Sequence, residues 1–553
     1  MGSAPWPVWV GLVLALVTVG YPMFMIFLQS VAPTSGAGPK GLFAPFLELP
    51  KTQGIGEMWA TSLGCAAATT VLSWLLGLPA GWLLARAKLP GKTFIRVSLL
   101  LPVMSPPYLL ALAYVLVFQS KGLFDSFIFP LPENVRHLFF SAWGVIFVMS
   151  LTSFGTVALL VEAALQGVST RLEDAARLLK APSWDVFCKI TVPLLVPALI
   201  NAGVLVFVDT MSNFGVAAVL GRRADLLLLP MVIYETLTTW PVDVPLTAAL
   251  SAILAITAMI LVTVARFVIG ARSLANGRQA VNNLLELSGL HKVLALLFFG
   301  VLFLFSSVIP NLTVGLMSVV ERWQGGHPTF TFKHYQSLFN FGSGGSEALA
   351  TSCLLSLVSA TICVFIGGLV AYALARYRGW GASLLDHICL LPRIIPNLVI
   401  AVALILSWNA PWLPVRIYGT VGILILAYVA IYQAVALRFG DAAMQQLTPR
   451  FEQAAACLRA PRHAIIGRIV LPMMSPSLFV AWITIFIMVL RDWVASIMLL
   501  PPGIQTVGSF IYTQFEQGDF SKAMAMAVCT VVLSSGLLVA ANMRFYRKTI
   551  IAT

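Results

Sequence analysis

The sequence has 553 residues, of which 59% are hydrophobic and only 10% charged, whereas a soluble domain carries roughly a quarter charged residues. Apolar runs of about 20 residues recur, each long enough to cross a bilayer core of about 30 Å as a helix. This composition excludes an ordinary soluble fold. The net charge of +13 calls for no nucleic-acid partner if Lys and Arg gather in cytoplasmic loops.

Taken in chain order, "MGSAPWPVWVGLVLALVTVG" lacks the basic flank of a secretory signal and reads as a retained first span. Hydropathy then predicts spans near 58–85, 95–118, 140–165, 194–220 and 246–268. After a polar linker at 271–292, six more follow near 292–310, 348–375, 382–407, 419–437, 473–499 and 523–541. With the first at 8–29, this gives an all-α polytopic membrane protein of about twelve transmembrane helices. Pro102, Pro106 and Pro107 should break the third span, and Pro392 and Pro396 the ninth. The seven cysteines are scattered without a CxxC pair, and the six histidines show no ligand spacing, so neither a disulfide framework nor a metal site is expected. Gly91-Lys92-Thr93 resembles the tail of a P-loop. Arg86 stands where the first glycine of that motif belongs, so the chain should bind no cofactor and hydrolyse no ATP itself.

The two sets of six spans repeat each other. "ATS" at Ala60–Ser62 returns at Ala350–Ser352, and "LAR" at Leu84–Arg86 returns at Leu374–Arg376, both at an offset of 290. "EDAARLLKAPSWDVFCKITVP" (Glu173–Pro193) returns as "EQAAACLRAPRHAIIGRIVLP" (Glu452–Pro472) at an offset of 279. One insertion after the third span separates the two offsets. Duplication and fusion of a six-span unit follows, with halves at 1–270 and 293–553. An even number of spans makes them parallel rather than inverted repeats. Placing the repeated loops in the cytoplasm puts most of the 34 Lys and Arg residues on that side, with both termini and the linker.

Each loop, 170–193 and 448–472, reads as a short helix, a proline-enforced turn and a second short helix running to Pro193 or Pro472. Thr170 with Glu173 forms a capping-box pattern, and Pro449 suits a first helical turn. Such a loop could simply rest on lipid headgroups. Two copies at matched positions instead suit a two-fold symmetric partner.

The paired loops resemble the EAA loop of permease subunits in binding-protein-dependent ABC importers of the type I fold. The resemblance covers span count, loop position and orientation. It implies that Glu173, Asp174, Ala175, Ala176, Lys180 and Ala181, with Glu452, Gln453, Ala454, Ala455, Arg459 and Ala460, contact two copies of a cytoplasmic ATPase. That partner would use ATP and Mg, and a periplasmic solute-binding protein would deliver the substrate across the bacterial inner membrane. Lys180 and Arg459 stand where the family usually has glycine, so the loop could turn differently. Chains holding both halves are similar to ferric-iron, thiamine and 2-aminoethylphosphonate permeases, with "VFVDTMSNFGVAAVLG" (Val206–Gly221) and Val489–Phe520 closest to the ferric-iron group. Polyamines remain open as cargo. An ion-driven secondary transporter would also show repeats, but it would want mid-membrane acids and would leave the paired loops without purpose.

Polar residues at membrane depth are costly and usually face a pathway or each other. Asp209, Asn213, Arg491 and Asp492 lie in or at the ends of the fifth span of each half, with Asn213 matching Asp492 at the 279 offset. They either line a translocation pathway or pair locally. Arg393 is a further candidate.

Overall fold

A computed structural model of the chain describes residues 6–551 apart from 33–42, 50–53, 121, 123–124, 126–129, 168–170, 271–283, 323–328, 341, 343, 411 and 414–415. The described residues are overwhelmingly helical, and the strands among them are the short antiparallel pair Val320–Arg322 and Thr329–Phe330. Among the described residues, ten helices are long and apolar enough to span a bilayer. Two further pairs, Lys92–Pro102 with Pro107–Phe118 and Trp380–Ile394 with Asn397–Trp408, bend by 88° and 115°. The bends fall before Pro106 and Pro396, which lack the N–H that a continuous helix would need. The expected break is thus present in each half at Pro106 and Pro396, whereas Pro102 and Pro392 lie inside helices Lys92–Met104 and Trp380–Ile394 and do not break them.

Other prolines are absorbed. Among the described residues, widened helical turns at Leu16–Gly20, Phe187–Thr191, Leu304–Val308 and Ile466–Val470 each precede an X-Pro pair containing Pro22, Pro193, Pro310 or Pro472. A one-turn π-bulge lets the helix pass a residue that cannot donate to the i−4 carbonyl. Pro193 and Pro472 therefore do not end the second short helix of each loop, contrary to the sequence reading. That helix runs on into the fifth span, giving continuous helices Trp184–Ser212 and His463–Leu490.

The chain folds into two compact units that do not follow chain order. One comprises Met1–Leu47, Pro241–Ala255 and Gly315–Thr553, the other Glu48–Trp240 and Ile256–Val314. In the first, the N-terminal helix packs on residues of the second sequence half. Trp9 meets Trp380 edge-on at 5.8 Å, Thr18 accepts from Gln433 Nε2 at 3.3 Å, and Tyr21 donates to the Ser407 carbonyl at 3.2 Å. In the second unit, Gly289–Phe303 fills the matching role, with Ala295, Phe299 and Leu302 in one core with Leu84, Leu99 and Phe154.

Within each unit the second span lies close against the fourth. A Cβ on Gly77 would sit 2.8 Å from the Phe154 carbonyl oxygen, and one on Gly81 would sit 2.4 Å from that of Ala158. In the other unit, a Cβ on Gly367 would sit 2.5 Å from the Ala436 methyl. Small residues bring backbones together where lipid supplies no hydrophobic drive between helices. Gly77-x-x-x-Gly81 is such a pattern, and Gly367 with Ala371 repeats it at the 290 offset.

Candidate coupling site

The repeated loops close by the same backbone device. Helix Arg171–Leu178 ends with the Ala181 amide donating to the Ala176 carbonyl, and Arg450–Cys457 with the Ala460 amide donating to Ala455, both at 3.1 Å. These bonds, five residues back, define a Schellman motif, which needs a left-handed residue just before the final donor. That residue is Lys180 in one loop and Arg459 in the other, each with φ of 55°. The departure from glycine therefore leaves the turn in the conformation glycine would adopt. Pro182 and Pro461 follow, and Ser183–Val186 and Arg462–Ile465 begin the run into the membrane. Thr170, and with it the expected capping box, lies outside the described residues. In the second loop Pro449 occupies the capping position ahead of the helix, with no side-chain cap.

Glu173 and Glu452 point inward. Glu173 is buried, and its Oε1 accepts from Arg86 at 3.3 Å and from the Thr191 hydroxyl at 3.1 Å. Glu452 Oε1 accepts from Arg376 through Nε at 2.7 Å and a terminal nitrogen at 2.6 Å. Arg376 also donates to the Leu447 carbonyl at 3.3 Å. Arg86 and Arg376 close the repeated "LAR" at the C-terminal end of the second span, so the ion pair is duplicated along with the sequence. Each carboxylate ties its loop to the second span of its own unit. The outward face belongs to other residues: Leu178, Leu179 and Leu458 are 84–85% exposed, and Ala175, Lys180, Gln453, Ala454 and Arg459 are exposed beside them. Ala176, Ala181, Ala455 and Ala460 are half-buried. Asp174 lies on the first loop's helix, with its side chain outside the described set. Exposed leucines flanked by cations form a surface suited to another protein, because water gains by losing contact with them.

Asn213 and Asp492 share one task. Asn213 Oδ1 accepts from the Val216 amide at 3.0 Å, and Asp492 Oδ2 from the Ala495 amide at 3.0 Å, each capping the helical segment after a break in the fifth-span region. Asx side chains at such breaks satisfy amides that the helix leaves orphaned. Asp492 Oδ1 additionally accepts from the Tyr432 hydroxyl at 3.0 Å. Arg491 is half-buried next to it, while Asp209 and Arg393 are exposed on their helices. Arg86 and Arg376 are the residues that sequence reasoning passed over as ordinary topological charges. Their signal was the repeated "LAR" at the same offset as "ATS".

The sequence profile of the binding-protein-dependent transport system inner membrane component matches twice, over residues 77–272 and 363–546, together well over half of the chain. The chain belongs to this family. Each match contains one of the paired loops and its fifth span. Among curated relatives, the chain is 25% identical over 450 residues to the ferric transport system permease protein FbpB of Actinobacillus pleuropneumoniae, covering 80% of this chain and 64% of that protein. It thus spans a little under two thirds of that relative's length. The Fe(3+)-transport system permease protein FbpB 2 of Haemophilus influenzae is 22% identical over 542 residues, 96% of both chains. The molybdenum transport system permease protein ModB of Escherichia coli is 31% identical over 155 residues, 28% of this chain and 66% of that one.

Proposed function

We propose that this chain is the transmembrane permease subunit of an ATP-driven importer in the bacterial inner membrane. In this reading two copies of a separate ATPase seat on the two cytoplasmic loops, and a periplasmic binding protein delivers the cargo. The observation that carries it is the duplicated loop: an ion-paired helix held to the second span, with exposed leucines outward. Closure of the ATPase pair on ATP would displace both loops, and the fused halves would switch between two access states. The chain supplies mechanics and the partner supplies the energy. An ion-driven transporter would give no reason for two anchored loops with apolar outer faces.

Ferric ion is the proposed cargo, supported by the names of the two FbpB relatives, which are aligned over 80% and 96% of the chain. The molybdenum permease among the relatives is a reminder that cargo varies within the family. The test is uptake into proteoliposomes holding the complex purified through this chain, with the binding protein and ferric ion outside. ATP trapped inside should drive uptake, and a proton gradient alone should not. Gradient-driven uptake without ATP would overturn the proposal, and ATP-driven uptake of another solute but not of iron would overturn the cargo alone.

A further inference from the structure

Each second span carries two polar contacts at the same separation. Near its start, Ser62 Oγ accepts a hydrogen bond from the Leu229 amide at 2.9 Å, and Ser352 Oγ accepts from the Val507 amide at 2.8 Å. The two amides begin helices Leu229–Thr238 and Val507–Glu516, which follow the broken fifth-span region. First-turn amides have no acceptor within their own helix, and a hydroxyl from the second span satisfies one in each; Leu229–Thr238 has no side-chain cap of its own, whereas Val507–Glu516 also carries a Thr506–Ser509 capping box. All four groups are buried. Twenty-four residues further along the same helices, Arg86 and Arg376 grip Glu173 and Glu452.

At 1.5 Å per residue, those 24 residues span about 36 Å, more than the hydrocarbon core of a bilayer. The serine contact and the arginine contact therefore lie toward opposite membrane faces. The helices between them, Ile55–Arg86 and Gly345–Arg376, are unbroken and each 32 residues long. Both ends bear side-chain bonds to elements distant in sequence, in both units. A rigid element gripped at both ends is the physical form that coupling between separated sites requires.

We infer that Ser62 and Ser352 are positioning residues for transport. They fasten the outer helix of each unit to the second span, so that movement of a coupling loop on one face is delivered to the outer helix on the other. This inference rests on the coupling role proposed above. Pro79 lies inside the first rod and the second contains no proline, which makes Ser352 the cleaner position to test.

The experiment is hydrogen exchange on the full complex, with and without ATP plus vanadate. In the wild type, trapped nucleotide should alter exchange both in Arg450–Cys457 and in Val507–Glu516. In Ser352→Ala, the loop response should persist while the response of Val507–Glu516 shrinks to roughly half or less. Ser352→Thr, which keeps the hydroxyl, should restore it. A merely structural serine would raise basal exchange without changing the nucleotide-induced difference. Ser62→Ala, read at Leu229–Thr238, provides an independent variant should Ser352→Ala fail to assemble. A wild-type response at the outer helix in the alanine variants would overturn the inference. So would a wild-type complex whose loops respond while its outer helices do not. Loops that fail to respond in the wild type would instead sink the coupling role itself, and the inference with it.

Discussion

The two loop anchors are equivalent in sequence but not in burial, and they should respond differently to the same change. Arg86 and Glu173 side chains are 1% and 5% exposed, whereas Arg376 and Glu452 are 16% exposed each. Glu173→Gln removes the carboxylate charge that faces the buried Arg86 guanidinium, which costs up to about 3–5 kcal/mol. Glu452→Gln leaves Arg376 closer to water and still bonded to the Leu447 carbonyl. The expected cost there is about 1.5–3 kcal/mol, that of losing a charge-assisted hydrogen bond. For units of 150–250 residues each kcal/mol moves the unfolding midpoint by about 2–4 °C, so the first variant should melt up to roughly 6–20 °C below wild type. The assay is thermal unfolding of the purified chain in nanodiscs at one scan rate. Arg86→Met combined with Glu173→Leu should recover most of the loss, because an apolar pair of similar volume needs no counter-charge. A Glu173→Gln midpoint at or above that of Glu452→Gln would refute the reasoning.

Other outcomes follow from the same geometry. Lys180→Gly and Arg459→Gly should relieve left-handed strain and stabilise each turn by about 0.5–1 kcal/mol, read as Ala181 and Ala460 amides exchanging about 2–5-fold more slowly; faster exchange would contradict the Schellman assignment. Leu178→Asp with Leu458→Asp should abolish ATPase copurification while leaving the unfolding free energy within about 1 kcal/mol of wild type, and retained binding would move the docking surface elsewhere. The exposed thiols Cys188 and Cys457 should react with a membrane-impermeant maleimide from the cytoplasmic side, and reaction from the periplasmic side would invert the topology. Arg491→Ala should slow uptake more than it reduces assembly if that guanidinium lines the pathway; an unchanged uptake rate would make it a structural group.

The span pattern and the duplication were legible because apolar runs and fixed offsets need no tertiary knowledge. The proline breaks at Pro106 and Pro396 were legible for a local reason, the missing N–H. Pro193 and Pro472 misled because the same defect can be absorbed by a widened turn, and the choice depends on the helix on either side. The inward direction of Glu173 and Glu452 was hidden, since a helix face is set by what it packs on, and Arg86 lies 87 residues away. Asn213 and Asp492 were recognisable as a matched pair. Their shared capping task emerged only with the backbone break beside them. The packing of each first helix on residues of the other sequence half has no local signature at all.

The central claim is that two loops of one chain seat two ATPase subunits. It is tested most directly by purifying the chain from its native membrane and weighing the intact complex by native mass spectrometry. The account predicts two copies of a P-loop ATPase per chain, both lost in the Leu178→Asp, Leu458→Asp variant. A chain that purifies without an ATPase from membranes where uptake is active would contradict it.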